Sequence, residues 1–225
     1  MPVAYCLLPT AKLITLLYSY IVIEGNIGAG KTSLASRMAS EMNASLILEQ
    51  FEENSFLPKF YKDPVRYAFP LELSFLADRY QQLKKHFVTP DLFTSFTISD
   101  YFIYKSLIFA SRNLEPLEYG LYGKLFSIVS SVVPRPDLIV YLYLSIENLA
   151  RNIRHRGRVY EQNIAAEYLE KIQAGYLEFL RQQTDLKVLL IDTNGLDFVK
   201  KEEDYGWIKS QILKEYPLGI TTIAR

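Results

Sequence analysis

The sequence predicts an α/β protein in which a parallel, doubly wound sheet of five strands is covered by helices on both faces. Two observations support this prediction. Short apolar runs alternate along the chain with longer segments whose apolar residues recur every three or four positions. The first apolar run also leads directly into a glycine-rich loop and a helix, as the first strand of such a sheet does. A chain of 225 residues, 49% of them hydrophobic, suits one domain of this kind.

The amino-terminal half predicts three strands and two helices. Apolar, β-branched runs predict the strands, at 18–24, 44–49 and 93–99. Apolar residues at helical spacing predict the helices, over 32–42 and 71–87. Asp100 directly follows the third strand. Because ligands bind at the carboxyl ends of the strands in parallel sheets, Asp100 is a candidate site residue.

The carboxy-terminal half predicts the remaining elements. Helical periodicity occurs in four segments, at 101–112, 119–133, 145–156 and 161–182. Two further apolar runs predict strands, at 138–144 and 188–191. The strand at 138–144 is apolar throughout and must be buried on both faces. Ser145 is a typical N-cap for the helix that follows it, and a turn over 192–195 ends the last strand.

The composition excludes several classes of protein. Lys plus Arg and Asp plus Glu number 25 each, so no overall positive field exists to hold a long nucleic acid. One cysteine and two histidines leave little for a zinc site or a disulfide, which favours a reducing, cytoplasmic location. Residues 1–17 are apolar but lack the features of a signal peptide and of a membrane span, so we expect an extension of unknown role before a domain over 18–225.

Eight consecutive residues match the phosphate-loop pattern GxxxxGK[ST], in the required context between a strand and a helix: Gly25, Asn26, Ile27, Gly28, Ala29, Gly30, Lys31 and Thr32. The glycines allow backbone N–H groups to surround phosphate oxygens, Lys31 offsets phosphate charge and Thr32 can ligate Mg²⁺. The alternative is a glycine turn that binds nothing. A GTPase switch is rejected, because the run Asn194 to Asp197 imitates NKxD without its lysine.

Beyond the phosphate loop, three features resemble the deoxyribonucleoside kinases of the P-loop kinase superfamily. These are the run IEGNIGAGKTSL, a glutamate that closes the second strand, and RGRVYEQ followed by EYLEKI. The resemblance covers about residues 18–200 and is greatest to the bacterial purine deoxynucleoside kinases. It implies a three-layer sandwich with an arginine-rich helical lid at about 151–162. It also implies ATP and Mg²⁺ as cofactors, a homodimer, and transfer of the ATP γ-phosphate to a nucleoside 5′-hydroxyl.

By this resemblance, Glu49 is the general base that accepts the proton of the sugar 5′-hydroxyl. Glu52 and Glu53 are its nearby competitors, although a short acidic run of this kind usually faces solvent. Glu49 differs from them because it directly follows a buried strand.

The spacing of Tyr61, Glu72 and Arg79 is similar to that of the family's sugar-contacting tyrosine, base-reading glutamine and base-contacting arginine. Here the glutamine is a glutamate. An ionised carboxylate only accepts hydrogen bonds, so it suits the exocyclic amine of adenine or the N1-H and N2-H₂ edge of guanine, and it suits thymine poorly. We therefore expect a purine substrate. The alternative is an amphipathic helix with ordinary surface charge.

The resemblance also implies a Mg²⁺ site that Asp100 forms together with Thr32. The family has an arginine directly after this carboxylate, and this chain has Tyr101. Either Arg79 or a lid arginine is expected to replace it. The alternative for Asp100 is a helix N-cap.

Four arginines crowd into the predicted lid: Arg151, Arg154, Arg156 and Arg158. Guanidinium groups suit phosphate, so Arg156 and Arg158 join Lys31 and Glu49 as expected catalytic residues, and Arg154 is expected to bind ATP. The family arginine four residues before the RGR pair is Asn152 here, and Arg151 or Arg154 can substitute for it. The alternative is an RNA-binding patch, which the neutral net charge disfavours.

The resemblance assigns the remaining substrate contacts. Glu161 matches the glutamate that binds the sugar 3′-hydroxyl together with Tyr61, and 192–198 corresponds to the loop over the donor adenine. The expected activity is therefore phosphorylation of a purine deoxyribonucleoside, with deoxyadenosine as the leading acceptor. The alternatives are a kinase for a nucleoside monophosphate or another small alcohol, and a non-catalytic nucleotide-binding regulatory module.

Overall fold

The computed structural model describes residues 17–50, 54–89, 91 and 93–225. The predicted amino-terminal extension, apart from Leu17, lies outside the described residues, and so do Glu52 and Glu53. Among the helices within the described ranges, none is long and apolar enough to cross a membrane.

The described strands form one parallel sheet. In chain order they are β1 Tyr20–Gly25, β2 Ser45–Ile47, β3 Thr97–Ser99, β4 Leu138–Tyr143, β5 Lys187–Asp192 and β6 Gly219–Ile223. Their order across the sheet is β2-β3-β1-β4-β5-β6, and all neighbouring pairs are parallel. The prediction of five strands is therefore wrong by one. The sequence of β6 gave no continuous apolar signal because this edge strand contains Thr221 and Thr222 and is only partly buried.

Helices cover both faces of the sheet, which confirms the predicted three-layer arrangement. The described α-helices are α1 Lys31–Met42, α2 Leu57–Phe60, α3 Pro64–Val88, α4 Lys105–Asn113, α5 Pro116–Ser130, α6 Ile146–Arg156, α7 Ala166–Arg181 and α8 Glu202–Ile212. A short 3-10 helix, Val159–Glu161, lies between α6 and α7.

Two hydrophobic clusters fill the space between the three layers. One joins the sheet to α1, α6 and α8, and the other joins it to α3, α4, α5 and α7. Alternate residues of β4 contribute to each cluster: Val140 and Leu142 to the first, Ile139 and Tyr141 to the second. This central strand is buried on both faces, as its apolar sequence predicted.

Several helix boundaries differ from the predicted ones. Helix α3 begins at Pro64, seven residues earlier than expected, and Asp63 caps it by accepting a hydrogen bond from the backbone N–H of Arg66. Pro70 lies inside this helix, a position at which proline ordinarily kinks or breaks a helix. The helix predicted over 161–182 is in fact the end of the 3-10 helix followed by α7. Helices α2 and α8 were not predicted.

Candidate active site

The phosphate loop connects the end of β1 to the start of α1. Gly28 and Gly30 have backbone φ angles of +85° and +88°, a region that only glycine adopts readily. A Cβ on Gly30 would lie 2.7 Å from the ring of Phe198, and one on Gly28 would lie 2.9 Å from the carbonyl oxygen of Leu149. The two glycines therefore allow the loop to pass tightly between α6 and the segment 193–200.

A cavity of about 950 Å³ opens over this loop. This volume is within the range of small-molecule sites in proteins. The lining includes the loop residues Gly28 to Thr32, Glu49, and much of the segment 193–200. The region of the lid adds Arg151, Asn152, His155, Arg156 and Arg158. The cavity is thus bordered by cationic side chains and by the amino-terminal end of α1, an arrangement that suits a polyphosphate.

The first three residues of the phosphate loop lie on the side of the loop that faces away from the cavity. Within the described part of the chain, the cavity lining begins at Gly28. Asn26 is buried, its Nδ2 donates to the carbonyl oxygen of Leu169 over 2.8 Å, and its Oδ1 accepts from the N–H of Ile27 over 2.8 Å. The loop is therefore anchored to α7, and Gly25, Asn26 and Ile27 lie behind the residues that face the cavity.

Lys31 lies at the base of the cavity. Its Nζ donates to the carbonyl oxygen of Asn26 over 2.9 Å. Burial, together with the positive charge of Lys105, lowers the pKa of Lys31 to about 8. A cation in this environment gains from a nearby anion, because burial disfavours its charged form.

Thr32 and Asp100 meet above the ends of β1 and β3. The Thr32 hydroxyl donates to Oδ2 of Asp100 over 2.5 Å, and Oδ1 of Asp100 accepts from the backbone N–H of Glu49 over 2.8 Å. Asp100 is not the cap of α4, whose N-cap residue is Tyr104. A hydroxyl beside a carboxylate provides the oxygen ligands that Mg²⁺ prefers. Among the described residues, no group of three or more His, Cys, Asp or Glu could hold a metal ion. Mg²⁺ needs few protein ligands, since it keeps waters and phosphate oxygens.

Two cations clamp the carboxylate of Glu49, just beyond β2. Arg79 donates to Oε1 from Nε over 2.9 Å and from Nη2 over 2.5 Å, and Lys105 donates to Oε2 over 2.5 Å. The Glu49 side chain is only 11% exposed. Burial opposes its ionisation, but the charges of Lys105 and Arg79 outweigh this effect and hold its pKa well below the ordinary range of a carboxyl. Glu49 is therefore ionised and fixed in orientation at the edge of the cavity.

Lys105 was missed by the sequence reasoning, and its position explains the departure at Tyr101. The Tyr101 side chain is fully buried, and its hydroxyl donates to Oε1 of Gln82 over 3.0 Å, away from the cavity. Lys105 lies four residues later, in the first turn of α4, and supplies a positive charge beside both Glu49 and Lys31. In the sequence, the one indication of this role was that Lys105 follows Tyr101 by four residues, which is about one helical turn.

Glu24 is another buried acid that the sequence reasoning did not select. Its Oε1 accepts from the N–H of Phe102 over 2.7 Å, and its Oε2 accepts from the hydroxyl of Tyr176 over 2.9 Å. Burial raises the pKa of Glu24, while the charges of Lys105 and Lys31 oppose the shift. The residue therefore connects β1 to the turn before α4 and to α7.

Glu72 and Arg79 lie two turns apart on the buried face of α3. Their exposed fractions are 1% and 3%, so the alternative of an amphipathic helix with ordinary surface charge is wrong for these residues. Oε1 of Glu72 accepts from Nδ2 of Asn113 over 2.7 Å, and Arg79 also donates to the hydroxyl of Ser106 over 2.6 Å. Two helical turns are about 10 Å long, so Glu72 and Arg79 lie about that far apart along the axis of α3.

Helix α6, which leads into the predicted lid, begins as predicted, because Ser145 accepts a hydrogen bond from the backbone N–H of Asn148 and caps it. At its other end, Arg156 and Arg158 form ion pairs with Glu161, which is 5% exposed. Arg154 is exposed on α6, and within the described residues it is not part of the cavity lining.

Between these two ends, Nδ2 of Asn152 donates to the carbonyl oxygen of Gly28 over 2.9 Å, and Arg151 lines the cavity. Asn152 therefore ties the lid directly to the phosphate loop. Arg151 has the position beside the cavity that was expected of Arg154.

Tyr61 lies beside the lid. Its ring stacks with that of Tyr160 at a centroid distance of 6.3 Å and an interplanar angle of 17°. Burial raises the pKa of Tyr61 well above its ordinary value, and the neighbouring Tyr168 and Glu161 add to the shift. The structure thus brings Tyr61 and Glu161 into one region, as their predicted shared role requires.

A phosphate loop at the end of a central strand, a largely buried acid just beyond β2, two strands away in the sheet, and an arginine-bearing lid define a P-loop phosphotransferase. A family model described as deoxynucleoside kinase matches residues 21–216. The chain therefore belongs to the deoxynucleoside kinase family and is an enzyme that binds a nucleoside and a nucleotide. The resemblance inferred from the sequence is confirmed.

Relatives with both purine specificities are similar to this chain. The deoxyguanosine kinase of Bacillus subtilis (strain 168) is 36% identical over 200 residues, which cover 86% of this chain and 95% of the relative. The deoxyadenosine kinase of Dictyostelium discoideum is 34% identical over 198 residues, which cover 86% of this chain and 79% of the relative. Among solved structures, the deoxyadenosine kinase from M. mycoides with bound dATP has a TM-score of 0.74 at 25% identity, and the match covers 87% of this chain and 100% of that one.

Proposed function

We propose that this enzyme transfers the γ-phosphate of ATP to the 5′-hydroxyl of a purine deoxyribonucleoside, with deoxyadenosine as the preferred acceptor. The observation that carries the proposal is the position of Glu49. Its carboxylate lies where the cavity over the phosphate loop meets the buried face of α3 that bears Arg79 and Glu72. An acceptor hydroxyl at this point would have a base on one side and the γ-phosphate on the other.

In the proposed reaction, Glu49 accepts the proton of the 5′-hydroxyl while the hydroxyl oxygen bonds to the γ-phosphorus. The bond between that phosphorus and the β–γ bridging oxygen breaks, and ADP leaves. A carboxylate has about four lone-pair sites, so Glu49 can accept this proton while Arg79 and Lys105 remain bound. Lys31, Arg156 and Arg158 offset the charge on the transferring group.

Magnesium bound with ATP would neutralise phosphate charge at this site. The hard oxygen donors of Thr32 and Asp100 fit the ion, since they already lie within hydrogen-bond distance of each other. We assign these two residues to hold it.

The sugar is placed between the lid and α3. We assign its 3′-hydroxyl to Tyr61 and Glu161, and the lid contacts of Glu161 support this assignment. Glu72 is assigned to the base, because it is buried and lies beyond Arg79 as seen from the cavity. The relatives named above include both deoxyadenosine and deoxyguanosine kinases, which supports a purine.

An assay of the four natural deoxynucleosides with ATP and Mg²⁺ tests the proposal. We expect ADP release that depends on the acceptor, greatest with deoxyadenosine, measurable with deoxyguanosine and poor with thymidine, because thymine gives an acidic side chain few donors. Equal turnover of thymidine and deoxyadenosine would remove the purine assignment. A requirement for a nucleoside monophosphate as acceptor would favour the alternative kinase.

We also propose a homodimer, with the exposed face of α5 as its interface. Leu117, Leu121 and Ile128 are 91%, 52% and 70% exposed and lie on one side of this helix. Antiparallel pairing of two copies of α5 would place Glu118 of each copy near Lys124 of the other, so the face is complementary to itself in charge. Sedimentation velocity should show a dimer for the natural chain and a monomer for Leu121→Glu.

We also propose a cytoplasmic location and a single kinase domain. The neutral net charge supports an enzyme that does not bind nucleic acid, and the single cysteine supports a reducing, cytoplasmic location. We further propose that the enzyme is not attached to a membrane. One sheet that begins at Tyr20 and ends at Ile223 supports a single kinase domain over 18–225.

A further inference from the structure

Glu72 has two carboxyl oxygens in different environments. Oε1 accepts the hydrogen bond of Asn113, whereas Oε2 is buried and, among the described residues, has no hydrogen-bond partner. A buried polar atom without a partner is costly in a folded protein. This oxygen therefore has an unmet hydrogen-bonding capacity, which a polar group that enters the acceptor site beside it would satisfy.

The two purines offer different edges to such a carboxyl. Adenine presents an acceptor at N1 beside the donor N6-H₂, whereas guanine presents two neighbouring donors, N1-H and N2-H₂, and the acceptor O6. A neutral carboxyl has one donor and one acceptor, so it can pair with N1 and N6 of adenine or with O6 and N1 of guanine. An ionised carboxylate only accepts, so it can take both donors of guanine, whereas with adenine it can take only N6-H₂ and its second oxygen then places negative charge against N1.

We propose that the charge state of Glu72 selects between the purines: the neutral form accepts both deoxyadenosine and deoxyguanosine, and the ionised form accepts deoxyguanosine alone. This inference rests on the proposed function, because it requires Glu72 to face the base. It makes Glu72 the specificity-determining residue and Asn113 the residue that orients it. Asn113 occupies Oε1 and so leaves Oε2 as the oxygen that carries the proton.

Charged and titratable groups face Glu72 from four helices and from the segment after β2. They are Arg79 on α3, Lys105 on α4, Glu49 beyond β2, Tyr122 on α5 and Tyr168 on α7. Burial raises the pKa of Glu72 to about 7, while the Asn113 hydrogen bond and the charges of Arg79 and Lys105 oppose the shift. Neither tyrosine titrates near neutral pH, because burial also raises their pKa values.

The direction of the pH dependence follows from these facts. The neutral form of Glu72 predominates below its pKa and is lost as the pH rises through about 7. The activity with deoxyadenosine relative to deoxyguanosine should therefore be greatest at mildly acidic pH and should decline at alkaline pH.

The experiment measures kcat/KM for both purine deoxynucleosides from about pH 5.5 to about pH 8.5, since kcat/KM reports the ionisations of the free enzyme. The ratio of the two values cancels ionisations that affect both substrates, including those of Glu49 and Lys31. We expect the ratio for deoxyadenosine over deoxyguanosine to be constant at low pH and to fall about tenfold per pH unit above the Glu72 pKa.

Two variants distinguish this mechanism from a general effect of pH. Glu72→Gln keeps a neutral side chain with one donor face and one acceptor face, so its ratio should not change with pH. Glu170→Gln, an exposed change on α7, is the matched control and should keep the natural profile. Asn113→Leu removes a hydrogen bond that lowers the Glu72 pKa, so the fall in the ratio should move to higher pH.

The outcomes separate the inference from the proposed function. If both purines are phosphorylated and their ratio is independent of pH in the natural enzyme, the inference is wrong while the proposed function stands. If neither purine deoxynucleoside is phosphorylated at any pH, the proposed function fails first. A ratio that still depends on pH in Glu72→Gln would assign the selection to another group.

Discussion

The donor side and the acceptor side of the site differ in whether their charged side chains are already paired within the protein. On the donor side, the phosphate loop and the lid border an open cavity, and among the residues that the structure describes Lys31 Nζ donates only to a backbone oxygen. On the acceptor side, Glu49 and Glu161 are already neutralised by cations of the same chain. The donor half is therefore ready for an anion, whereas the acceptor half must open the ion pairs of Glu161 to admit a neutral nucleoside.

This difference teaches where the enzyme can discriminate between ligands. A preformed anion site binds any polyphosphate well, because its backbone and cationic donors interact with phosphate charge and not with the rest of the nucleotide. A site made of buried, paired carboxyls accepts only a ligand that restores the hydrogen bonds it displaces. We expect changes on the acceptor side to alter kcat and substrate choice, and changes on the donor side to alter nucleotide affinity and loop stability.

The largest expected effect is that of Glu49→Gln. This change removes the base but keeps the size of the side chain, so kcat should fall about 10²- to 10⁴-fold, the usual contribution of general-base catalysis. ATP affinity, measured by calorimetry without acceptor, should stay near that of the natural enzyme, because the donor cavity is largely formed by other residues. Undiminished turnover would exclude Glu49 as the base. An equally large loss of ATP affinity would show that the two halves are not separate.

Lys105→Met tests whether the missed lysine belongs to the acceptor side. The change removes one of the two cations on Glu49, a charge-assisted bond worth about 1.5–3 kcal/mol, so we expect kcat to fall about ten- to hundredfold. Because Lys105 helps to depress the Glu49 pKa, its loss should raise that pKa and move the acid limb of the kcat profile to higher pH. Lys105→Arg, which keeps the charge, should restore much of the activity. An unshifted acid limb in Lys105→Met would count against the clamp.

Gly30→Ala tests the claim that the donor side is preformed. Its φ of +88° and the nearby Phe198 ring oppose a side chain there, and a non-glycine residue in this region costs about 1–3 kcal/mol. Urea unfolding without nucleotide should show a loss of stability of about this size, together with weaker ATP binding. Gly195→Ala, in the segment over the cavity, is the control, because a Cβ there would meet nothing within 4 Å. A similar loss in both variants would contradict the claim.

The sequence predicted the donor half better than the acceptor half, and the reason is physical. The residues of a phosphate loop are consecutive, so one motif contains both the turn and its chemistry. Glu49 and Asp100 follow strands, and parallel strands end at the same edge of the sheet, so their proximity could also be inferred. The extra strand β6 was missed because half-buried edge strands with polar residues lack a continuous apolar signal.

Lys105 and Asn113 could not be predicted in the same way. Both belong to α4, and their contacts with Glu49 and Glu72 depend on how this helix packs against α3. No local pattern encodes that packing. The burial of Glu72 was also hidden, because a charged residue on an amphipathic helix is usually exposed. Which of Arg151 and Arg154 faces the cavity depends on how α6 is rotated about its own axis. The sequence spacing of the two arginines does not determine that rotation.

The smallest expected effect concerns these two arginines and would sharpen the picture of the donor side. Arg151 lines the cavity, whereas Arg154 lies on the exposed surface of α6 outside it. Exposed charge pairs contribute little, so Arg151→Ala should raise the KM for ATP only about two- to fivefold. The increase should diminish at high ionic strength, since salt screens exposed charges. Arg154→Ala should leave the KM within error of the natural value. If Arg154→Ala has the larger effect, the lid must rotate when nucleotide binds, and the donor half would then be no more preformed than the acceptor half.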